Sequence, residues 1–141
     1  MSILGSLFSS KSDKNSTENW NTLESLDHWN QLLDQSFQNA VVVFKHSTRC
    51  FISRSVLNNF EATGMNAGTP QTFYLLDLLS YRSVSDAIIE HTLVEHQSPQ
   101  IIVLKDGKTV FTASHDAISF DSVLEFLLDC SFHVCIFSLL C

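Results

Sequence analysis

The run Ala40-Val41-Val42-Val43-Phe44, with a polar hexapeptide directly behind it, constrains this chain most. Five apolar and mostly β-branched residues without alternation read as a strand buried on both faces, the pattern of a partly parallel sheet. After Lys45-His46-Ser47-Thr48-Arg49-Cys50, the residues Ile52, Val56, Leu57 and Phe60 recur at helical steps. Cys50 therefore stands at a strand-to-helix junction. It is also the one cysteine in the body of the chain, since the other three fall within the last twelve residues.

The remaining elements follow from the same periodicities. Leu26, Trp29, Leu32, Leu33 and Phe37 predict an amphipathic helix from Ser25 to Phe37, capped at Ser25 or Asp27. Thr72 to Asp77 reads as a second buried strand, and Ser83 to Leu93, with Val84, Ala87, Ile88 and Leu93, as another helix. Gly64 to Thr69 with Pro70 supplies the break before that strand. Gln100 to Leu104 and Thr109 to Thr112 form a hairpin around an Asp106-Gly107 turn. A last helix starts near Ser119, with Phe120, Val123, Leu124 and Leu127 on its face. The order helix, strand, helix, strand, helix, strand, strand, helix is that of an α/β thioredoxin-like fold: a central mixed β-sheet of about four strands flanked by helices on both faces.

With 141 residues the chain holds one domain. Residues 19–128 are expected to form it. Residues 1–18 read as an N-terminal tip and flexible linker, because 9–18 contain no large apolar residue. Ile3, Leu4, Leu7 and Phe8 in the tip suit either one docking turn or a mobile end. The tip lacks a basic segment and a sustained apolar one, so no secretory signal is read there and the cytoplasm is expected. In that compartment four cysteines are thiols rather than a disulfide framework. A formal charge of −7 argues against nucleic acid and anionic membrane surfaces, which need clustered Lys and Arg.

A thiol becomes a nucleophile as its thiolate, and the first turn of a helix offers that anion unpaired N–H groups and the positive end of the macrodipole. Sites of this kind lower cysteine pKa values from about 8.5 to roughly 3.5–7.5. Lys45, His46 and Arg49 add positive charge nearby in sequence, and the other reading, a buried inert cysteine, suits these polar flanks poorly. Ser53 occupies the place where a dithiol site carries its second sulfur. A hydroxyl cannot resolve a mixed disulfide, so an outside thiol must clear Cys50. Ser53 itself reads as either a helix-surface residue or a donor to the sulfur. His46, His96 and His115 are candidate proton shuttles or charge partners, with backbone-satisfied histidines as the alternative.

Four ordered motifs then carry a resemblance: Lys45-His46-Ser47-Thr48-Arg49-Cys50-x-Ile52-Ser53; Phe73 to Leu78 with Tyr81-Arg82; His96-Gln97-Ser98-Pro99-Gln100; and Ser114-His115 with Ile118-Ser119. Together, over residues 20 to 128, they resemble the YtxJ-like monothiol bacilliredoxins of the bacillithiol system. The resemblance implies a thioredoxin-like oxidoreductase in which Cys50 removes bacillithiol, or a similar small thiol, from S-thiolated client proteins. It implies no bound cofactor and no metal. Ser98-Pro99 becomes a cis-proline turn facing a pocket made with His46, Ser47, Thr48, Arg49 and Ser53. Phe51 departs from the family, where a small residue or proline is commoner.

The second departure is an apolar tail over 129–141 with Cys130, Cys135 and Cys141. After Asp129 it is too short to span a bilayer as a helix. Its Cys and His spacing does not match the close pairs of structural zinc sites, and a resolving role toward Cys50 is open to any of its three cysteines. The competing function is a non-enzymatic adaptor whose Cys50 is only capped by small thiols. The small thiol, the clients and the oligomeric state stay open.

Overall fold

All six residues of the strand Val41–His46 are buried, as the unbroken apolar run requires, and every other element is arranged around it. The computed structural model describes residues 19–65 and 72–128. In chain order these form β1 (Asn21–Thr22), α1 (Leu26–Gln35), β2 (Val41–His46), α2 (Phe51–Gly64), β3 (Phe73–Asp77), α3 (Arg82–Thr92), β4 (Gln100–Lys105), β5 (Lys108–Ser114), a 3₁₀ turn (His115–Ala117) and α4 over 120–128. The sheet order is β1-β3-β2-β4-β5. β2 runs parallel to β3 and antiparallel to β4, with Phe44 opposite Leu75 on one side and Ile101 on the other.

Alternation along β2 divides the core in two. Val42 and Phe44 face α2 and α4, where Leu57, Phe60, Phe73 and Phe120 pack with Trp20. Val41 and Val43 face α1 and α3, against Trp29, Leu32, Val84 and Ile88. Trp20 holds the first layer together: its ring meets Phe44 edge-on at 5.8 Å and Phe73 at 5.7 Å, and its Nε1–H donates to Glu61 Oε1 at 2.8 Å.

The fold agrees with the α/β, thioredoxin-like reading and differs in detail. The sheet has five strands rather than four, because β1 contributes only two residues, paired in parallel with Tyr74 and Leu75 of β3. No alternation can be read from two residues. α1 stops at Gln35 rather than Phe37. Ser36 ends it by donating its hydroxyl to Leu33 O and accepting the Gly107 N–H at 2.9 Å, which ties the helix to the β4–β5 turn. Phe37 is left 63% exposed, its ring lying over Gly107. Leu93, expected on the buried face of α3, instead terminates that helix at φ 56° and is exposed. The hairpin turn is as read, with Asp106 at φ 53° and Gly107 at φ 73°. Readings that concern the 1–18 tip and linker, residues 66–70 of the break and the tail with Cys130, Cys135 and Cys141 lie outside the described residues.

Gly64 closes α2 directly beneath the Phe120 ring, so a Cβ there would overlap the ring. Gly64→Ala is expected to destabilise the fold by about 1–3 kcal/mol through overpacking. A urea midpoint lowered at unchanged m-value would register it.

Candidate functional site

β2 ends at His46, and a tight turn over Ser47–Arg49 delivers the chain to α2. The Cys50 N–H donates to Ser47 O at 3.1 Å, and the Arg54 N–H donates to Cys50 O at 3.1 Å, opening the helix. Cys50 is thus the N-cap, extended at φ −101° and ψ 120°, and no side chain caps the helix. Ser, Thr, Asp or Asn would ordinarily spend its oxygen on the N–H groups of the first turn. Here those of Phe51, Ile52 and Ser53 have no intrahelical acceptor, and the half-buried Cys50 thiol stands at the same positive end. Phe51, 82% exposed, and Ile52, 59% exposed, make an apolar lip beside it.

Ser53 holds this turn from within. It is fully buried, accepts the Ser47 N–H at 3.1 Å and pairs with His46 Nδ1 at 2.8 Å. It is therefore not a surface residue, and its hydroxyl is engaged within the turn. Arg54 holds the turn from outside, donating through Nη2 to Thr48 O at 3.0 Å.

The electrostatics differ from the sequence reading. Lys45 points to the other face of the sheet, fully buried, with Nζ 2.7 Å from His96 Nδ1. Burial lowers its pKa to about 8, against the opposing pull of Asp86. His46 is buried on the Cys50 side, and that burial pushes its pKa below the ordinary histidine value; Asp77 opposes the shift and Arg54 adds to it. Lys45 is therefore not a charge partner of the thiol and His46 is biased to its neutral form. His96 also shifts down, by burial and then by the charge of Lys45.

Strand direction gathers the rest. Because β3 is parallel to β2 and β4 antiparallel, the turn after β2, the turn after β3 and the segment before β4 all lie at one end of the sheet. Ser98-Pro99 has the cis peptide bond expected for it. With Gln100 opposite Lys45, Pro99 comes level with the end of β2. Gln100, buried, braces this segment by donating through Nε2 to Glu95 O at 2.9 Å. The Ser98 hydroxyl is buried without a partner. His115 also reaches this end, where its N–H donates to Pro99 O, but its side chain lines a separate cleft with Ser55, Val56 and Asn59.

The sequence reading assigned no role to Arg54 or Arg82. Arg54 stands one turn beyond Cys50 and could have been found by that spacing. Arg82 opens α3, and its cleft, shared with Thr48, Arg49, Leu79 and Ser80, needs the β2–β3 pairing to be seen. Among the described residues no group of His, Cys, Asp and Glu is placed to hold a metal ion. No helix there is long and apolar enough to cross a membrane.

Comparison with known proteins agrees with this fold. The family model for the monothiol bacilliredoxin BrxC matches residues 21–123. A solved structure provisionally described as an oxidoreductase with a thioredoxin fold is similar with a TM-score of 0.65 and 26% identity, covering 78% of this chain and 95% of that one. Thioredoxins of Malassezia sympodialis (TM-score 0.60, 16% identity, 79% and 90% covered) and Fasciola hepatica (0.58, 17%, 77% and 97%) share the fold.

Two outcomes follow from the buried polar groups. Ser53→Ala leaves the Ser47 N–H and His46 Nδ1 without their partner and is expected to cost about 1–3 kcal/mol in unfolding free energy, measurable by urea titration. His46 and Lys45 both favour their neutral forms in the folded chain, so wherever they titrate the unfolded chain binds more protons and stability rises with pH. The His46 contribution is complete above 6.5 and is lost as pH falls toward its lower folded value; that of Lys45 is complete above 10.5 and is lost down to about 8. The fall in urea midpoint below pH 6.5 should be shallower in His46→Asn, and the rise between pH 8 and 10.5 should disappear in Lys45→Met.

Proposed function

The chain belongs to the monothiol bacilliredoxin BrxC family, and from that premise we propose that it removes bacillithiol, or a similar small thiol, from S-thiolated proteins by exchange at Cys50. The single observation that carries the reading is the position of Cys50: a half-buried thiol at the uncapped N-terminus of a 14-residue helix. The thiolate attacks the small-thiol sulfur of the client's mixed disulfide. The client sulfur leaves as a thiolate, and the small thiol stays on Cys50 as a new disulfide.

Ser53 cannot complete the cycle, since it carries no sulfur and its hydroxyl is engaged by Ser47 and His46. A second small thiol, as its thiolate, attacks the mixed disulfide on Cys50, releasing the Cys50 thiolate and a small-molecule disulfide. Such regeneration suits a reducing compartment, the cytoplasm. His46, Ser47, Thr48 and Arg49 shape one wall of the pocket, with Ser98 and Pro99 opposite. No bound cofactor or metal is required. The tail cysteines Cys130, Cys135 and Cys141 are alternative resolving thiols.

The test is intact-mass analysis of the full chain incubated with a bacillithiol-capped client protein. Transfer of one small thiol to Cys50 is expected, and its loss in Cys50→Ser. Absence of transfer to the wild-type chain would exclude the enzymatic reading in favour of a non-catalytic adaptor. Release that depends on residues 129–141 would make a tail cysteine the resolving thiol.

A further inference from the structure

Beside the Cys50 turn, a cleft of about 290 Å³ is bounded by Thr48 and Arg49 on one side and by Leu79, Ser80 and Arg82 on the other. Two arginines, both solvent-exposed, line it in a chain of formal charge −7. Among the described residues, neither has a hydrogen-bond or ion-pair partner. Of the two carboxylates nearest Arg82 in sequence, Asp77 is already engaged by the Leu79 N–H at 3.2 Å and the Ser80 hydroxyl at 2.7 Å, and Asp86, one turn further along α3, lines a neighbouring cleft that Arg82 also borders. Arg82 is also the first residue of α3, an 11-residue helix whose N-cap Tyr81 makes no side-chain cap bond. First-turn N–H groups without acceptors therefore add to the two cations at the same place.

A cationic cleft of this kind suits an oxyanion, and guanidinium groups bind a carboxylate in a planar, two-pronged geometry. Its volume lies at the small end of small-molecule sites. A peptide strand would cross over such a cleft rather than fill it. Arg49 adjoins Cys50 in sequence, so an anion held here sits at the turn that carries the reacting thiol.

We infer that the Arg49–Arg82 cleft is the anion subsite of this exchange centre and takes the carboxylate of the small thiol whose sulfur joins Cys50, an assignment that rests on the exchange chemistry proposed above. A thiol bearing two carboxylates engages both guanidiniums. An uncharged thiol of the same reactivity engages neither, so the subsite sets which small thiol is accepted. Lys45 and His96, paired with each other, do not line this cleft; His96 borders the neighbouring one, which it shares with Arg82 and Asp86.

The experiment compares two 2-pyridyl mixed disulfides, one of mercaptosuccinate and one of 2-mercaptoethanol. Attack by Cys50 on either transfers the small thiol and releases pyridine-2-thione, whose absorbance reports the rate; peptide mapping assigns the modification to Cys50. The full chain is expected to prefer the mercaptosuccinyl probe. That preference should fall about two- to fivefold in Arg49→Gln or Arg82→Gln and about tenfold in the double variant. It should also collapse in about 1 M salt, where the screening length is about 3 Å. Lys108→Gln, the same charge change at the opposite end of the sheet, should retain it. A preference unchanged in the double variant overturns the subsite while leaving exchange at Cys50 intact.

A second arm is independent of exchange: ¹⁵N-labelled Cys50→Ser titrated with S-methyl mercaptosuccinate to about 10 mM. Shifts of the Arg49 and Arg82 Nε–H signals, lost in Arg82→Gln, support the assignment even if Cys50 proves unreactive. No shift at either arginine, or stronger binding of an acidic peptide than of the small acid, overturns it.

Discussion

The burial of β2 on both faces is the constraint on which the rest of this structure depends. Val41, Val42, Val43 and Phe44 have no exposed surface, and each such side chain contributes about 1.5–3 kcal/mol when removed from water. A strand that must be covered twice needs helices on both sides and strands at both edges. Parallel β3 on one side and antiparallel β4 on the other meet that need. The same arrangement puts the polar turn that follows β2 at an end of the sheet where three chain segments meet. A reactive group at that point is framed by elements that owe their position to the core.

The turn itself is held by polar contacts inside a largely apolar layer. Ser53 joins the Ser47 backbone to His46, while Arg54 reaches back to Thr48. Donors and acceptors belong to the last residue of β2, the turn or the first turn of α2, so the approach to Cys50 is fixed by residues within eight positions of one another in sequence. Burial has a second effect here, on charge. A histidine and a lysine next to each other in sequence are both pushed toward neutrality, on opposite faces, by desolvation. The cations left at the site end are the guanidiniums, which do not deprotonate in this way.

Local spacing alone was enough for much of this. The hydrophobic run of β2, the helical steps of α2 and the Asp106-Gly107 turn each reflect a backbone preference that operates over a few residues, and each stands where the periodicity put it. The helix ends were less legible. Phe37 and Leu93 fit a helical repeat, yet the first is excluded by the hydrogen bonds of Ser36 to a turn seventy-one positions away, and the second ends α3 in the left-handed region. β1 was invisible because its two residues are a strand only by virtue of pairing with β3.

By itself the sequence determined the class of fold, the junction at which Cys50 sits and the absence of a second sulfur at position 53, because these rest on residue type and short-range period. Only the tertiary structure decided which neighbours of Cys50 matter. Alternation along β2 sends Lys45 away from the thiol, and burial makes the Ser53 hydroxyl the brace of the turn. The parallel pairing of β2 with β3 carries Arg82 across to Arg49, thirty-three positions earlier in the chain. Charge and hydrogen bonding act through space, and distance in space is what a linear order of residues does not contain.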